Sequence, residues 1–166
     1  MNKWVVRVAI LLLLGILAFI GWRHFFPDPE KVIRKRLSEL AGAASFTPKE
    51  APLAKLSNTQ RLMAFCTPDV EISVDSPGHG RQTMSGREDL FQKALAVREF
   101  LSALSVEFID INVTLGSDRK SAMAELTAKG KVPGDNDMFI QELKFTLKKM
   151  DGTWLVRKID TVKTLR

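Results

Sequence analysis

The chain holds 166 residues, 45% hydrophobic and 27% charged, a balance that excludes a disordered, collagen-like or multi-pass membrane protein and fits about one folded domain. A single cysteine excludes an internal disulfide and a cysteine-built zinc site, and two histidines without any tyrosine leave a thin stock of catalytic side chains. The net charge of +6 sits mostly at the front, +3 in residues 1–27 and +2 in 28–36, leaving +1 for all the rest, so nucleic acid is not an expected partner.

Val8 to Trp22 reads VAILLLLGILAFIGW, without a charge. As a helix, Trp4 to Trp22 would rise roughly 27 Å, close to the hydrocarbon thickness of about 30 Å. Tryptophan favours both membrane interfaces, and an arginine one turn inside can snorkel outward. The expectation is a signal anchor in residues 1–27, touching the bilayer through 4–22, with Trp4, Arg7, Trp22 and Arg23 at the interfaces. A cleaved signal peptide is the main alternative, but Leu17 to Trp22 offers no clean small-x-small pair before a cut site. A buried core helix would show a polar face. The five basic residues after the span (Arg23, Lys31, Arg34, Lys35, Arg36) outnumber Lys3 and Arg7 before it, which by simple counting holds the domain inside. Large domains translocate largely regardless of charge, and the signal-anchor layout places this one in the periplasm or another extracytoplasmic space. The basic cluster either meets anionic head groups or forms a solvated helix face.

Residues 28–166 read as one α+β domain. Asp28 and Pro29 mark a helix start, and Val32, Ile33, Leu37, Leu40, Ala41 and Ala44 follow at helical spacing. The next stretch, FTPKEAPLAKL, reads as a loop. Ser57 and Gln60 have capping-box spacing, opening a short helix that runs to Pro68 and places Cys66 at a helix end. Val70, Ile72 and Val74 alternate with polar residues as a strand. SPGHGRQTMSG reads as loop, with a short strand around Gln82 to Met84. Ser85 and Glu88 form a second capping box, ahead of an apolar stripe of Leu90, Phe91, Ala94, Leu95, Val97, Phe100, Leu101 and Leu104. Thereafter Ile109, Ile111, Val113 and Leu115 alternate, followed by the small face Ala122, Ala124, Leu126, Ala128, and by Phe139, Leu143, Phe145 and Leu147. Asp151-Gly152 is a two-residue hairpin signal, leading into Thr153 to Val162. Four strands on short turns form an antiparallel meander.

This order, with LMAFCTPDVEISV, GREDLFQKAL and DGTWLVRKID, resembles the nuclear transport factor 2-like superfamily, which includes SnoaL-like cyclases, ketosteroid isomerases and scytalone dehydratase. The matching cues are Pro68-Asp69-Val70 before a strand, Gly86-Arg87-Glu88 opening a helix, and Gly152-x-Trp154 opening the last strand. The resemblance implies a curved antiparallel sheet packed on three helices into a cone, with a pocket at its open end and frequent dimers. On that fold the expected pocket residues are Trp154, Phe145, Phe100, Asp75 and Glu125. Isomerase relatives add a tyrosine oxyanion donor, which this chain lacks. Dehydratase relatives use histidines, but His24 lies at the membrane edge and His79 in a glycine-rich loop.

The strand acids Glu71, Asp75, Asp110, Glu125, Glu142 and Asp160 mostly alternate against apolar neighbours, away from the core, although a bulge could turn one inward and raise its pKa. Cys66 sits among apolar residues with no base beside it. No metal-ligand cluster, phosphate loop or nucleophile elbow appears, so no cofactor and no metal are expected. The leading expectation is a membrane-anchored, non-enzymatic scaffold or binding domain of the bacterial envelope, similar to single-span scaffold components of secretion systems. It would bind a protein partner, a second copy or a small apolar ligand. The alternatives are a small pocket enzyme (isomerase, hydratase or cyclase) acting on a hydrophobic substrate, and an immunity-like or ligand-sensing module.

Overall fold

The computed structural model describes residues 28–76, 80–134 and 138–162. The expected span and its interface residues Trp4, Arg7, Trp22 and Arg23 lie outside them, as do His24 and His79. Among the described residues no helix is long and apolar enough to cross a membrane. The chain divides into two units, Met1–Val32 and Ile33–Arg166; the second carries the sheet.

Helix α1 is Pro29–Ala44. Asp28 caps its start by accepting the Glu30 N–H at 3.1 Å. Ile33, Leu37, Leu40 and Ala41 are buried, at the i, i+4, i+7, i+8 spacing of one helix face. Helix α2 is Pro52–Met63 and begins earlier than the capping-box spacing suggests. Its N-cap is the extended Ala51, with Pro52 supplying a first helical residue that needs no N–H partner. Ser57 and Gln60 therefore lie inside the helix. It also ends earlier: β1 (Cys66–Ser76) starts at Cys66, so the cysteine stands on a strand and Pro68 falls within it. Pro68 cannot donate to a ladder, and the pairing of β1 with the last strand shifts register between Cys66 and Glu71.

After β1 come β2 (Gly80–Ser85), α3 (Gly86–Phe100), β3 (Ser105–Leu115), β4 (Ser121–Lys131), β5 (Met138–Met150) and β6 (Thr153–Thr161). The expected meander β3 to β6 is present, and the six strands run in the order β2-β1-β6-β5-β4-β3. The sheet is mixed rather than wholly antiparallel, because β1 pairs parallel with β6. That pairing joins strands too far apart in sequence for a short turn to set their direction. The β5–β6 hairpin turns on Asp151 (φ 49°) and Gly152 (φ 81°), the left-handed pair required by the tightest twist-matched turn. The β3–β4 turn is held by the Asp118 carboxylate, which accepts the N–H groups of Lys120 and Ser121 at 2.9 Å and the Ser121 hydroxyl at 2.8 Å. These donors hold its pKa below the ordinary carboxylate value. A Cβ at Gly116 would collide with Ser121 Oγ, so a side chain there would turn that hydroxyl away from Asp118.

A bulge in β3 overturns one expectation. The register of β3 with β4 shifts between Ile109 and Asn112, around Asp110 at φ 53°. Val106 and Phe108 share the core side before the shift, and Ile111, Val113 and Leu115 share it afterwards. Ile109 pairs with Thr127 on the outer side, because one extra residue reverses the alternation.

Helix α1 lies along β3. The Arg34 guanidinium donates to the Ile111 carbonyl. Ser45 Oγ accepts the Val106 N–H at 2.9 Å and lies 3.3 Å from its carbonyl oxygen, and Phe46 bridges Leu104. From Arg34 to Ser45 a helix rises about 17 Å, and from Val106 to Ile111 a strand covers about the same length, so the two run side by side in opposite directions. The contacts satisfy part of an edge that would otherwise invite another strand.

The core joins α1 (Ile33, Leu37, Leu40) to Val70, Ile72, the small face Ala122, Ala124, Leu126 and Ala128, and to Phe145, Leu147, Trp154 and Val156. Helix α3 departs from its expected stripe. Ser85 makes no side-chain cap; instead its N–H reaches Asp89 Oδ2 at 3.3 Å. Val97 and Phe100 are exposed, whereas Arg98 is 3% exposed. Arg98 donates to Glu50 Oε2 at 3.0 Å and to the Ala43 carbonyl at 2.7 Å, and stands 4.8 Å over the Phe46 ring. A buried cation needs such partners, and this one ties α3 to the end of α1.

Candidate functional site

The five residues expected to line one pocket are not brought together. Trp154 and Phe145 are 3% and 1% exposed and belong to the packed core. Phe100 is 88% exposed at the end of α3. Asp75 lies on β1 opposite Arg81, its N–H donating to Thr161 Oγ1 at 3.0 Å. Glu125 is exposed on the outer side of β4, directly across from Lys144.

The apolar opening lies elsewhere, where β3 begins, β4 ends and β5 begins. A groove of about 550 Å³ is lined there by Leu104, Val106, Phe108, Ala128, Lys129, Gly130, Val132, Met138, Phe139 and Leu143. Its shape follows from register. Gly130 pairs with Phe139, and the missing side chain leaves room beside the ring; a Cβ there would only touch it, at 3.8 Å. Phe108 stacks edge-on against the core residue Phe145 at 5.5 Å, so this wall of the groove is anchored to the core. Lys129 is the charged residue among the described lining; no carboxylate or imidazole is present in it. The sequence marked both Phe139 and Ala128 as core-facing; Ala128 is buried in the core, whereas Phe139 is half exposed, and nothing in the sequence marked that difference.

Three other sites hold polar groups. Asp110, Glu125 and Glu142 edge a shallow groove of about 280 Å³ on the outer side of β3 to β5. Asp160, also on the outer side, is paired with Lys158 at 3.0 Å and Arg81 at 3.8 Å. A larger polar cleft of about 720 Å³ between α1 and α2 contains Arg36, Glu39, Asn58 and Arg61. Its Arg36 is already engaged, 4.0 Å over the Phe65 ring, 3.3 Å from the Ala64 carbonyl and 3.6 Å from Glu39. Among the described residues no group of three or more His, Cys, Asp or Glu side chains is placed to hold a metal ion.

Two sequence cues meet structurally rather than chemically. Arg87 donates through Nε and Nη2 to the Cys66 carbonyl, the Nε contact at 2.9 Å, and a Cβ on Gly86 (φ 83°) would lie 3.9 Å from the Pro68 carbonyl. The Gly-Arg-Glu and Pro-Asp-Val signatures thus fasten α3 to the start of β1. Burial pushes the Cys66 thiol up to about 11, with Arg87 opposing, so it stays protonated and unreactive at neutral pH.

No protein-family model matches the chain, and no curated protein does. Solved structures do. A nuclear transport factor 2-like protein of unknown function from Pseudomonas putida superposes with a TM-score of 0.63 at 11% identity, covering 83% of this chain and 88% of that one. A provisionally assigned aromatic ring hydroxylase from Novosphingobium aromaticivorans gives 0.64 at 12% identity, covering 82% and 90%. A provisionally assigned scytalone dehydratase from the same organism gives 0.56 at 16% identity, covering 81% and 83%. At these identities the likeness is one of architecture alone: three helices on a six-stranded mixed sheet, the nuclear transport factor 2-like fold.

Proposed function

We propose that this domain is a non-enzymatic binding module, tethered to a membrane of the bacterial envelope by residues 4–22, that holds a small apolar molecule in the groove between β3, β4 and β5. The observation that carries the reading is the lining of that groove, a run of apolar side chains open to solvent beside a glycine. General acid–base chemistry needs a titratable group within hydrogen-bond reach of the substrate, and the described lining offers lysine alone. Concave, mostly apolar sites with few polar groups are the usual form of small-molecule pockets. The provisional enzyme assignments of two similar structures are those proteins' own; here the acids Asp75 and Glu125 stand away from the groove.

The test is photolabelling of the full chain in lipid nanodiscs with an apolar diazirine probe, followed by peptide mapping. Labelling should fall on residues 104–108 and 138–143, and Gly130→Leu, which fills the groove, should reduce it about tenfold or more while the melting temperature holds. Labelling that Gly130→Leu leaves unchanged would overturn the reading.

A further inference from the structure

We infer that the end of the domain formed by the β3–β4 and β5–β6 turns is a docking surface for the head groups of an anionic bilayer. The inference rests on the proposed tether and is independent of any ligand in the groove. Four exposed cations meet at this end: Arg119 and Lys120 in the β3–β4 turn, and Lys148 and Lys149 where β5 closes. Register brings them together. The Lys149 N–H donates to the Lys120 carbonyl at 2.7 Å, and Lys148 pairs with Ser121. Successive strand residues leave on opposite faces, so Lys148 and Lys149 put positive charge on both sides of the sheet's end.

The acids nearby do not cancel it. Asp118 and Asp151 stand in the same two turns, and the Asp118 carboxylate is held against the N–H groups of Lys120 and Ser121. Asp69, which feels Lys148, is paired with Arg157 at 3.5 Å. Residues 37–166 carry only +1 in all, so this concentration of charge is made by the fold, which joins two basic pairs far apart in sequence.

The occupant follows from charge and from the direction of α1. Arg34 meets Ile111 and Ser45 meets Val106, so the helix runs against β3 and starts toward the end where β3 finishes. Arg34 and Lys35, both exposed, add their charge on the approach to that end. Trp22, the last residue of the uncharged stretch, lies twelve positions before Arg34, a reach of at most ~40 Å. A bilayer holding that stretch is presented to the cationic end at high effective concentration. A nucleic acid or an acidic protein would have to bind it from solution. Each lysine or arginine near an anionic lipid surface strengthens binding roughly fivefold, and the attraction fades over about 8 Å at physiological salt.

The experiment uses the full chain in phosphatidylcholine vesicles, with or without phosphatidylglycerol, that carry a head-group nitroxide lipid. A fluorophore is attached at Ser117→Cys in the β3–β4 turn, or at Ser102→Cys ahead of β3 at the opposite end of the strand; Cys66 is buried and leaves each engineered thiol as the labelling site. With phosphatidylglycerol the label at 117 should be quenched and the label at 102 should not, and high salt should relieve the quenching. Replacing Arg119, Lys120, Lys148 and Lys149 by glutamine should lower the ratio of docked to undocked domain about tenfold or more with the melting temperature held. Exchanging lysine for arginine at 120, 148 and 149 should keep it. A chain that does not float with the vesicles overturns the tether and the docking together. A chain that floats with 117 unquenched, with 117 and 102 quenched alike, or with quenching indifferent to phosphatidylglycerol overturns the docking surface alone. An unquenched label at 117 whose anisotropy rises with a DNA oligonucleotide assigns the cations to nucleic acid and also overturns the inference.

Discussion

Strand β5 has two fates. Phe145 and Leu147 lie beneath α1 and are almost wholly buried, whereas Phe139, on the same side of the same strand, is half exposed. The chemistry of the side chains does not differ; the cover does. Alternation assigns a residue to a face of the sheet, but whether that face is core or opening depends on where the helix above it ends. Here α1 stops at Ala44, level with the beginning of β3, and α3 turns its last aromatic outward. One half of the sheet is a core and the other is a usable surface.

Substitutions can sharpen that contrast. Phe145→Ala should cost about 3–5 kcal/mol in urea unfolding, the range for emptying an aromatic site in a packed core. Arg98→Ala should cost a similar ~3–5 kcal/mol, because it leaves the Glu50 carboxylate without its partner in a poorly solvated place. A smaller loss is expected from pH. The Cys66 thiol has its pKa raised from 9.0 unfolded to about 11 folded, so the native state holds its proton longer. The contribution of this thiol should be constant below pH 9 and stability should decline by ~2–3 kcal/mol as the pH rises from 9 to about 11; a Cys66→Ala chain should lack that component of the profile. Gly152→Ala should cost ~1 kcal/mol, since alanine resists the left-handed conformation the β5–β6 turn demands. Phe139→Ala should change stability by less than ~1 kcal/mol, because the ring is already half in water. If Phe139→Ala proved as damaging as Phe145→Ala, the division of β5 into core and opening would be wrong.

Much of the architecture is legible in the sequence, and the exceptions share a cause. The α1 face, the alanine-rich face of β4 and the Asp151-Gly152 turn are local patterns whose outcome is fixed within a few residues. Arg98 is not: its burial depends on Glu50, 48 positions away, and on the Ala43 carbonyl, so an apolar stripe that looks continuous through Phe100 gives way to a cation with distant partners. The bulge at Asp110 inserts one residue and reverses the faces, and Ile109 moves outward with no warning in composition. Of the residues expected to form a pocket, Trp154 and Phe145 are large and apolar for the same reason that they are buried. The residues that shape the actual opening include a glycine, Gly130, whose contribution is the absence of a side chain.

The Ser45 hydroxyl and the Arg34 guanidinium have a consequence for assembly. Between them they occupy main-chain groups of Val106 and Ile111 on the edge strand β3, so an incoming chain meets an interrupted ladder there. Strand addition along β3 is hindered at those two points by one hydroxyl and one cation.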